Sequence, residues 1–121
     1  MSSAIQLLPA RQSEKIEFPW GQLTWFANRT LGNSDELTLG RCILKPGQGN
    51  PRHYHPNCSE ILTVLRGRIR HTLSDESETE MSEGDTVSIP PKLWHQATNI
   101  GDTEAVLLIA FSSADRETIG E

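Results

Sequence analysis

The chain has only two cysteines, Cys42 and Cys58, in no C-x-x-C arrangement. That excludes a disulfide framework and argues against a cysteine-built zinc knuckle. Positive charge is also in short supply: 11 Lys and Arg stand against 16 Asp and Glu, for a net charge of −5. A chain of that sign has no broad electrostatic attraction to nucleic acid or to an anionic membrane. No apolar run approaches the roughly 20 residues of a membrane-crossing helix. No basic stretch followed by an apolar one marks a signal peptide at the N-terminus, so the cytoplasm is the expected compartment. Helix signals are nearly missing until the end of the chain. Aromatics make up 6% of the residues, and most of them fall between Phe18 and Phe26.

What is present is a series of short apolar segments separated by turns. A length of 121 residues fits one domain spanning 1–121, large enough to pack a core without covalent staples. Ile16 to Ala27 carries Phe18, Trp20, Leu23, Trp25 and Phe26, a bulky set that covers apolar surface. Asn28 to Glu36 is polar and reads as a loop. Strands are expected over Leu37–Leu44, Glu60–Leu65, Arg68–Leu73, Thr86–Ile89 and His95–Asn99. The continuous apolar run Ala105–Phe111 reads as a strand buried on both faces. Charged turns are expected at Asp75-Glu76-Ser77-Glu78 and Glu83-Gly84-Asp85. Ser112 to Glu117 offers a serine cap and acidic residues, the start of a short C-terminal helix. Arg66, Arg68 and Arg70 form the only basic cluster, read as a solvated strand face opposed by Glu78 and Glu80 across a hairpin. Many short strands with regular turns point to an all-β sandwich or barrel.

Chemistry is concentrated in Gly47-Gln48-Gly49-Asn50-Pro51-Arg52-His53-Tyr54-His55-Pro56-Asn57-Cys58-Ser59-Glu60. In extended chain, alternate side chains share a face, so His53 and His55 point one way and Tyr54 the other. Glu60 follows at the head of a strand, and a later segment from Gly84 to Asn99 supplies His95. Imidazoles with one carboxylate suit a borderline divalent ion such as Fe, Mn, Ni, Cu or Zn, not a calcium site built from oxygens. Cys58, between His55 and Glu60, reads as a small buried loop residue; a soft ligand or redox-sensitive thiol is the alternative.

These residues resemble the cupin family. The first cupin motif, glycine, five residues, H-x-H, three or four residues, glutamate, six residues, glycine, is met by Gly47, His53, His55, Glu60 and Gly67, spanning 47–67. The second, spanning 84–99, is met by Gly84, Pro90, His95 and Asn99, with Lys92 standing where the motif has glycine. Glycine there would allow a positive φ that lysine resists. The resemblance implies a small double-stranded β-helix, the cupin jelly-roll barrel, with His53, His55, Glu60 and His95 binding one metal inside it. Such a site leaves coordination positions for an anionic oxygen ligand.

Outside the four ligands, His71 and Arg41 are the candidate catalytic residues. His71 shares a face with Ile69 and Leu73 and would serve as an acid or base near the metal; the competing reading is a hydrogen-bonded core histidine. Arg41 interrupts an apolar alternation and would anchor a substrate carboxylate, or else snorkels to the rim. The function expected is a metal-dependent enzyme acting on a small oxygenated, anionic molecule, by dioxygenase-type oxidation or by metal-assisted isomerisation or lyase chemistry. The alternative is a cupin that binds or senses a small molecule without turnover. The expected partners are that small molecule and a second copy of the chain, a homodimer covering the Trp20, Trp25 and Phe26 segment.

Overall fold

In the computed structural model, which describes residues 5–73 and 76–120, strand follows strand. The elements are β1 (Glu14–Phe18), β2 (Gly21–Ala27), β3 (Thr38–Leu44), β4 (His53–Tyr54), β5 (Glu60–Arg66), β6 (Ile69–Thr72), β7 (Glu78–Met81), β8 (Thr86–Ile89), β9 (Gln96–Asn99), β10 (Ala105–Phe111) and β11 (Ile119–Gly120), preceded by a 3-10 turn at Ala10–Gln12. One sheet has six strands in the order β1-β2-β3-β10-β5-β8. The facing layer comprises a three-stranded sheet, β7-β6-β9, and the pair β11-β4. Bridges Gly49↔Thr98 and His53↔His95 stitch that pair to β9. The result is a small double-sheet β-barrel of jelly-roll type.

Alternation decides which side chains fill it. Leu62 and Val64 of β5, Cys42 and Leu44 of β3, and Leu107, Ile109 and Phe111 of β10 are buried on the inner face, with Ile69, Met81 and Ala97 from the smaller sheet. Gly40 makes the close approach possible: a Cβ there would lie 2.4 Å from the Trp25 ring, which crosses β3 and meets Phe111 edge-on at 6.0 Å. The motif glycines Gly47, Gly67 and Gly84 all have positive φ, and Lys92 adopts the same handedness at φ 73°. Lysine therefore accepts the turn that its motif position demands.

Two expectations resolve differently from their sequence signals. The run Ala105–Phe111 alternates between a buried inner face and a half-buried outer one, Val106, Leu108 and Ala110, so it is not enclosed on both sides within this chain. The C-terminal helix does not form. The Ser113 hydroxyl caps only a local turn by accepting from the Asp115 amide at 3.0 Å, and the backbone of this segment bonds elsewhere. The Asp115 carbonyl accepts from Asn57 at 2.8 Å, the Glu117 amide donates to Asn57 at 3.0 Å, and the Ala114 carbonyl accepts from the Arg29 amide at 3.1 Å. Tertiary partners took the groups a helix would have used. The expected turn at Asp75–Glu78 lies partly outside the described residues, but the hairpin around it pairs as anticipated. Arg68 meets Glu80 at 3.0 Å, and Arg70 lies 3.9 Å from Glu78. These side chains are about half exposed, so each pair adds little stability, of order 0–1 kcal/mol.

Candidate metal centre

Four elements converge at one end of the barrel. β4 and the bend after it present His53 and His55 on one side and Tyr54 on the other, where Tyr54 packs edge-on against Trp94 at 4.7 Å. Glu60 opens β5 and points inward, 5% exposed. His95 precedes β9 and is fixed directly opposite His53 by reciprocal backbone bonds of 3.0 and 2.8 Å. One ligand-capable atom from each of His53, His55, Glu60 and His95 lies within 4.8 Å of the others. The two motifs, remote in sequence, thus meet through an antiparallel backbone pair.

Hydrogen bonding fixes the ring tautomers. The Nδ1 of His53 lies 2.7 Å from the Pro51 carbonyl, that of His55 2.9 Å from the Glu117 carbonyl, and that of His95 2.9 Å from the Leu93 carbonyl. A carbonyl only accepts, so each Nδ1 carries a proton and each ring turns its Nε2 to the centre as the nitrogen available for coordination. There the Glu60 Oε1 lies 3.1 Å from His95 Nε2, within hydrogen-bond geometry, and 3.2 Å from His55 Nε2. The His55 contact lacks hydrogen-bond geometry, and its buried Nε2 has no hydrogen-bond partner among the described residues. A buried carboxylate ringed by three imidazoles, one of whose inward nitrogens has no hydrogen-bond partner among the described residues, is a set of donors that a cation would gather. A divalent transition metal fits this donor set, and backbone carbonyls orienting each imidazole are the usual support for such ligands.

The electrostatics agree. Burial pushes the His53 imidazole down to about 4, assisted by the neighbouring His95, so at neutral pH it carries no proton on the coordinating side. Burial raises the Glu60 carboxyl, but contacts with His55 and His95 outweigh it and hold the group at about 2, fully ionised. Neutral imidazoles and an ionised carboxylate are the protonation states that ligation requires.

Beside the cluster opens a cavity of about 330 Å³. Its walls are mainly apolar, with Leu23, Trp25, Leu62, Leu107 and Phe111 among them, and the stacked pair Phe18–Trp20 (4.6 Å, 8°) at one side. Beyond the ligands, the polar groups reaching it are Asn50, Cys42, Arg116 and Thr118. Cys42 lines it, whereas Cys58 does not; burial drives the Cys42 thiol up to about 12, far from a reactive thiolate.

The two candidates expected beyond the ligands lie elsewhere. His71 is fully buried behind the site, its ring stacked on His95 at 5.7 Å, with neither ring nitrogen hydrogen-bonded among the described residues. Arg41 occupies the outer face of β3, opposite Cys42, and lies over the Phe26 ring at 5.5 Å with Thr24 as a distant 3.5 Å partner. Neither lines the cavity. The arginine that does is Arg116, held over Trp25 at 4.4 Å and Phe111 at 5.3 Å, with its Nη1 donating to the Thr118 hydroxyl. Sequence reasoning missed it because nothing local marks it. It reaches the site only because the C-terminal segment folds back across the barrel mouth, fastened by Asn57 and by Arg29, whose Nε lies 2.9 Å from Asp115.

The chain is similar to several known proteins. Germin-like protein 3-3 of Oryza sativa subsp. japonica is 32% identical over 96 residues, covering 74% of this chain and 40% of its own length. Oxalate oxidase 1 of Hordeum vulgare is 30% identical over 96 residues, covering 74% and 46%. The chain therefore spans less than half the length of these curated relatives. A solved structure of Bacillus subtilis oxalate decarboxylase, described for its Mn(II) centres, superposes with a TM-score of 0.81 at 24% identity, over 92% of this chain and 30% of that one. That likeness speaks to the fold. The cupin domain family matches residues 40–111, a span that holds all four residues of the cluster and more than half of the sequence, and the chain belongs to that family.

Proposed function

We propose that this protein is a metal-dependent cupin enzyme that oxidises a small carboxylate, with His53, His55, Glu60 and His95 as the ligands of one divalent ion. The observation that carries the reading is the convergence of three imidazole nitrogens and a carboxylate, opening onto a cavity that Arg116 also lines. When bound, the ion would supply Lewis acidity and a place for an oxygen ligand to be activated. The chain's own residues do the rest. Pro51, Glu117 and Leu93 carbonyls hold the imidazoles in orientation, the apolar walls exclude water, and Arg116 attracts the anion. Among the described residues, no imidazole or carboxylate other than the ligands lines the cavity. That supports oxygen-dependent oxidation over isomerase or lyase chemistry, both of which need a positioned acid or base. His71 is better supported as a positioning residue stacked behind His95 than as a proton carrier.

The same scarcity of acid–base groups favours one rival, a binding or sensing cupin without turnover. Metal analysis of protein purified without an affinity tag is the first test. About one ion per chain is expected, and the His53→Ala/His95→Ala double mutant should lose it while keeping its fold. Undiminished metal in that variant overturns the ligand assignment. Oxygen uptake by the Fe-, Mn-, Ni- and Zn-loaded protein, screened against small carboxylates, diketones, thiols and uronates, then separates the classes. Tight binding with no turnover under any metal selects the sensor.

Two expectations about context belong to the same proposal. Both cysteines are unpaired and buried, which suits the reducing cytoplasm. A homodimer is supported by the outer face of the six-stranded sheet, where Ile61 and Leu65 are 51% and 50% exposed beside the half-covered side chains of β10.

A further inference from the structure

We propose that the substrate is a monocarboxylate with an aromatic or branched-alkyl body, its carboxylate held between the metal cluster and Arg116 and its body against the wall formed by Phe18, Trp20, Leu23 and Trp25. The inference rests on the metal reading above and goes further, because it separates this site from one built for a compact dianion such as oxalate.

Three features carry it. The first is shape: about 330 Å³ is room for a ligand with a substantial apolar part, and a small dicarboxylate would leave most of the lining unused. The second is the character of the wall. Trp20 and Phe18 stack nearly parallel at 4.6 Å, and together with Leu23 and Trp25 they present rings and aliphatic carbons, with indole N–H groups as their only side-chain polar atoms and no cation to satisfy a second carboxylate. The third is Arg116. Among the described residues no carboxylate lies at ion-pair distance from its guanidinium. Its plane is positioned by two aromatic faces and the Thr118 hydroxyl, so donors remain for a single anionic head group. One cationic end with one long apolar side describes an amphipathic monoanion.

The test is titration of the Mn(II)-loaded protein with phenylpyruvate, oxalate and the neutral benzyl methyl ketone, read by calorimetry and by the fluorescence of the wall tryptophans. Phenylpyruvate is expected to bind at least tenfold tighter than either of the others. Arg116→Gln should weaken phenylpyruvate at least tenfold without changing metal content, and Arg116→Lys should restore part of the loss. Leu23→Phe, which narrows the wall, should weaken phenylpyruvate at least tenfold and leave oxalate unaffected. Oxalate binding as tightly as phenylpyruvate overturns the proposal, as does ketone binding equal to the acid or an Arg116→Gln variant that keeps both metal and full affinity. Were Arg116→Gln to misfold, the ligand comparison and Leu23→Phe still decide. Metal content reports separately on the cluster. If no metal is taken up, the ligand assignment falls, while the same ranking in metal-free protein continues to support Arg116 and the apolar wall.

Discussion

Lys92 sits at φ 73° with its amide donating to the His55 carbonyl at 2.9 Å, so a residue that resists left-handed backbone helps fix a metal-side loop. Left-handed geometry costs a non-glycine residue roughly 1–2 kcal/mol, and the added flexibility of unfolded glycine returns about half of that. Lys92→Gly is therefore expected to stabilise the protein by about 0.5–1 kcal/mol, read as a higher urea midpoint at unchanged slope. His71 poses the opposite case. Its buried imidazole leaves both nitrogens without partners among the described residues, so His71→Leu should raise stability by about 1 kcal/mol at pH 7. Burial, with help from His95, lowers the folded-state value of His71 to about 4, and that of His53 is similarly low. The unfolded chain takes up protons near 6.5, before the folded one does. Metal-free protein should thus keep full stability above pH 6.5 and lose it as the pH falls towards 4, by up to about 1.4 kcal/mol per pH unit for each imidazole. His71→Leu should flatten that slope in equilibrium unfolding at stepped pH. A pH-independent midpoint between 6.5 and 4 would refute this assignment.

At the scale of elements, the C-terminal segment from Ser112 to Gly120 matters more than its length implies. Asn57 holds it with a donated and an accepted bond, and its Glu117 carbonyl orients His55. Asn57→Ala should leave a barrel that folds, but with faster hydrogen exchange over residues 112–120 and a metal affinity lower by 10- to 100-fold, as expected when a ligand's hydrogen-bonded support is lost. Unchanged affinity by metal competition would mean that the segment only covers the site. This element also marks the boundary of what the sequence discloses. The strands carrying β-branched runs, such as Glu60–Arg66, and the His53, Tyr54, His55 alternation follow from local periodicity and are legible. The meeting of His53 with His95 was implied by motif resemblance, not by spacing. The partners of Ser112 to Glu117 are Asn57 and Arg29, both far along the chain, so local capping signals pointed to a helix that tertiary hydrogen bonds displaced. Arg116 was hidden for the same reason, and Arg41 drew notice only because it broke an apolar pattern that faces outward.

For the whole molecule, the outer face of the six-stranded sheet is the open question that solution mass answers. β10 lies between β3 and β5 with Val106, Leu108 and Ala110 only half covered, next to exposed Ile61 and Leu65. Sedimentation is expected to give twice the 13.5 kDa chain mass, and Leu65→Asp should shift the species to monomer at micromolar concentration. A wild-type monomer at all concentrations would remove the dimer. The aromatic N-terminal segment does not decide this, because Trp25 is buried against Phe111 and Trp20 is stacked on Phe18 within one chain. At the opposite side of the barrel, β11 pairs with β4 so that Gly120 lies across from His53 and at the cavity edge. A tag appended for purification at the C-terminus is tethered close to Gly120, and a flexible one is long enough to reach the ligands. An oligohistidine extension there would bring rival imidazoles to the ion, and preparations carrying one would misreport both its identity and its stoichiometry.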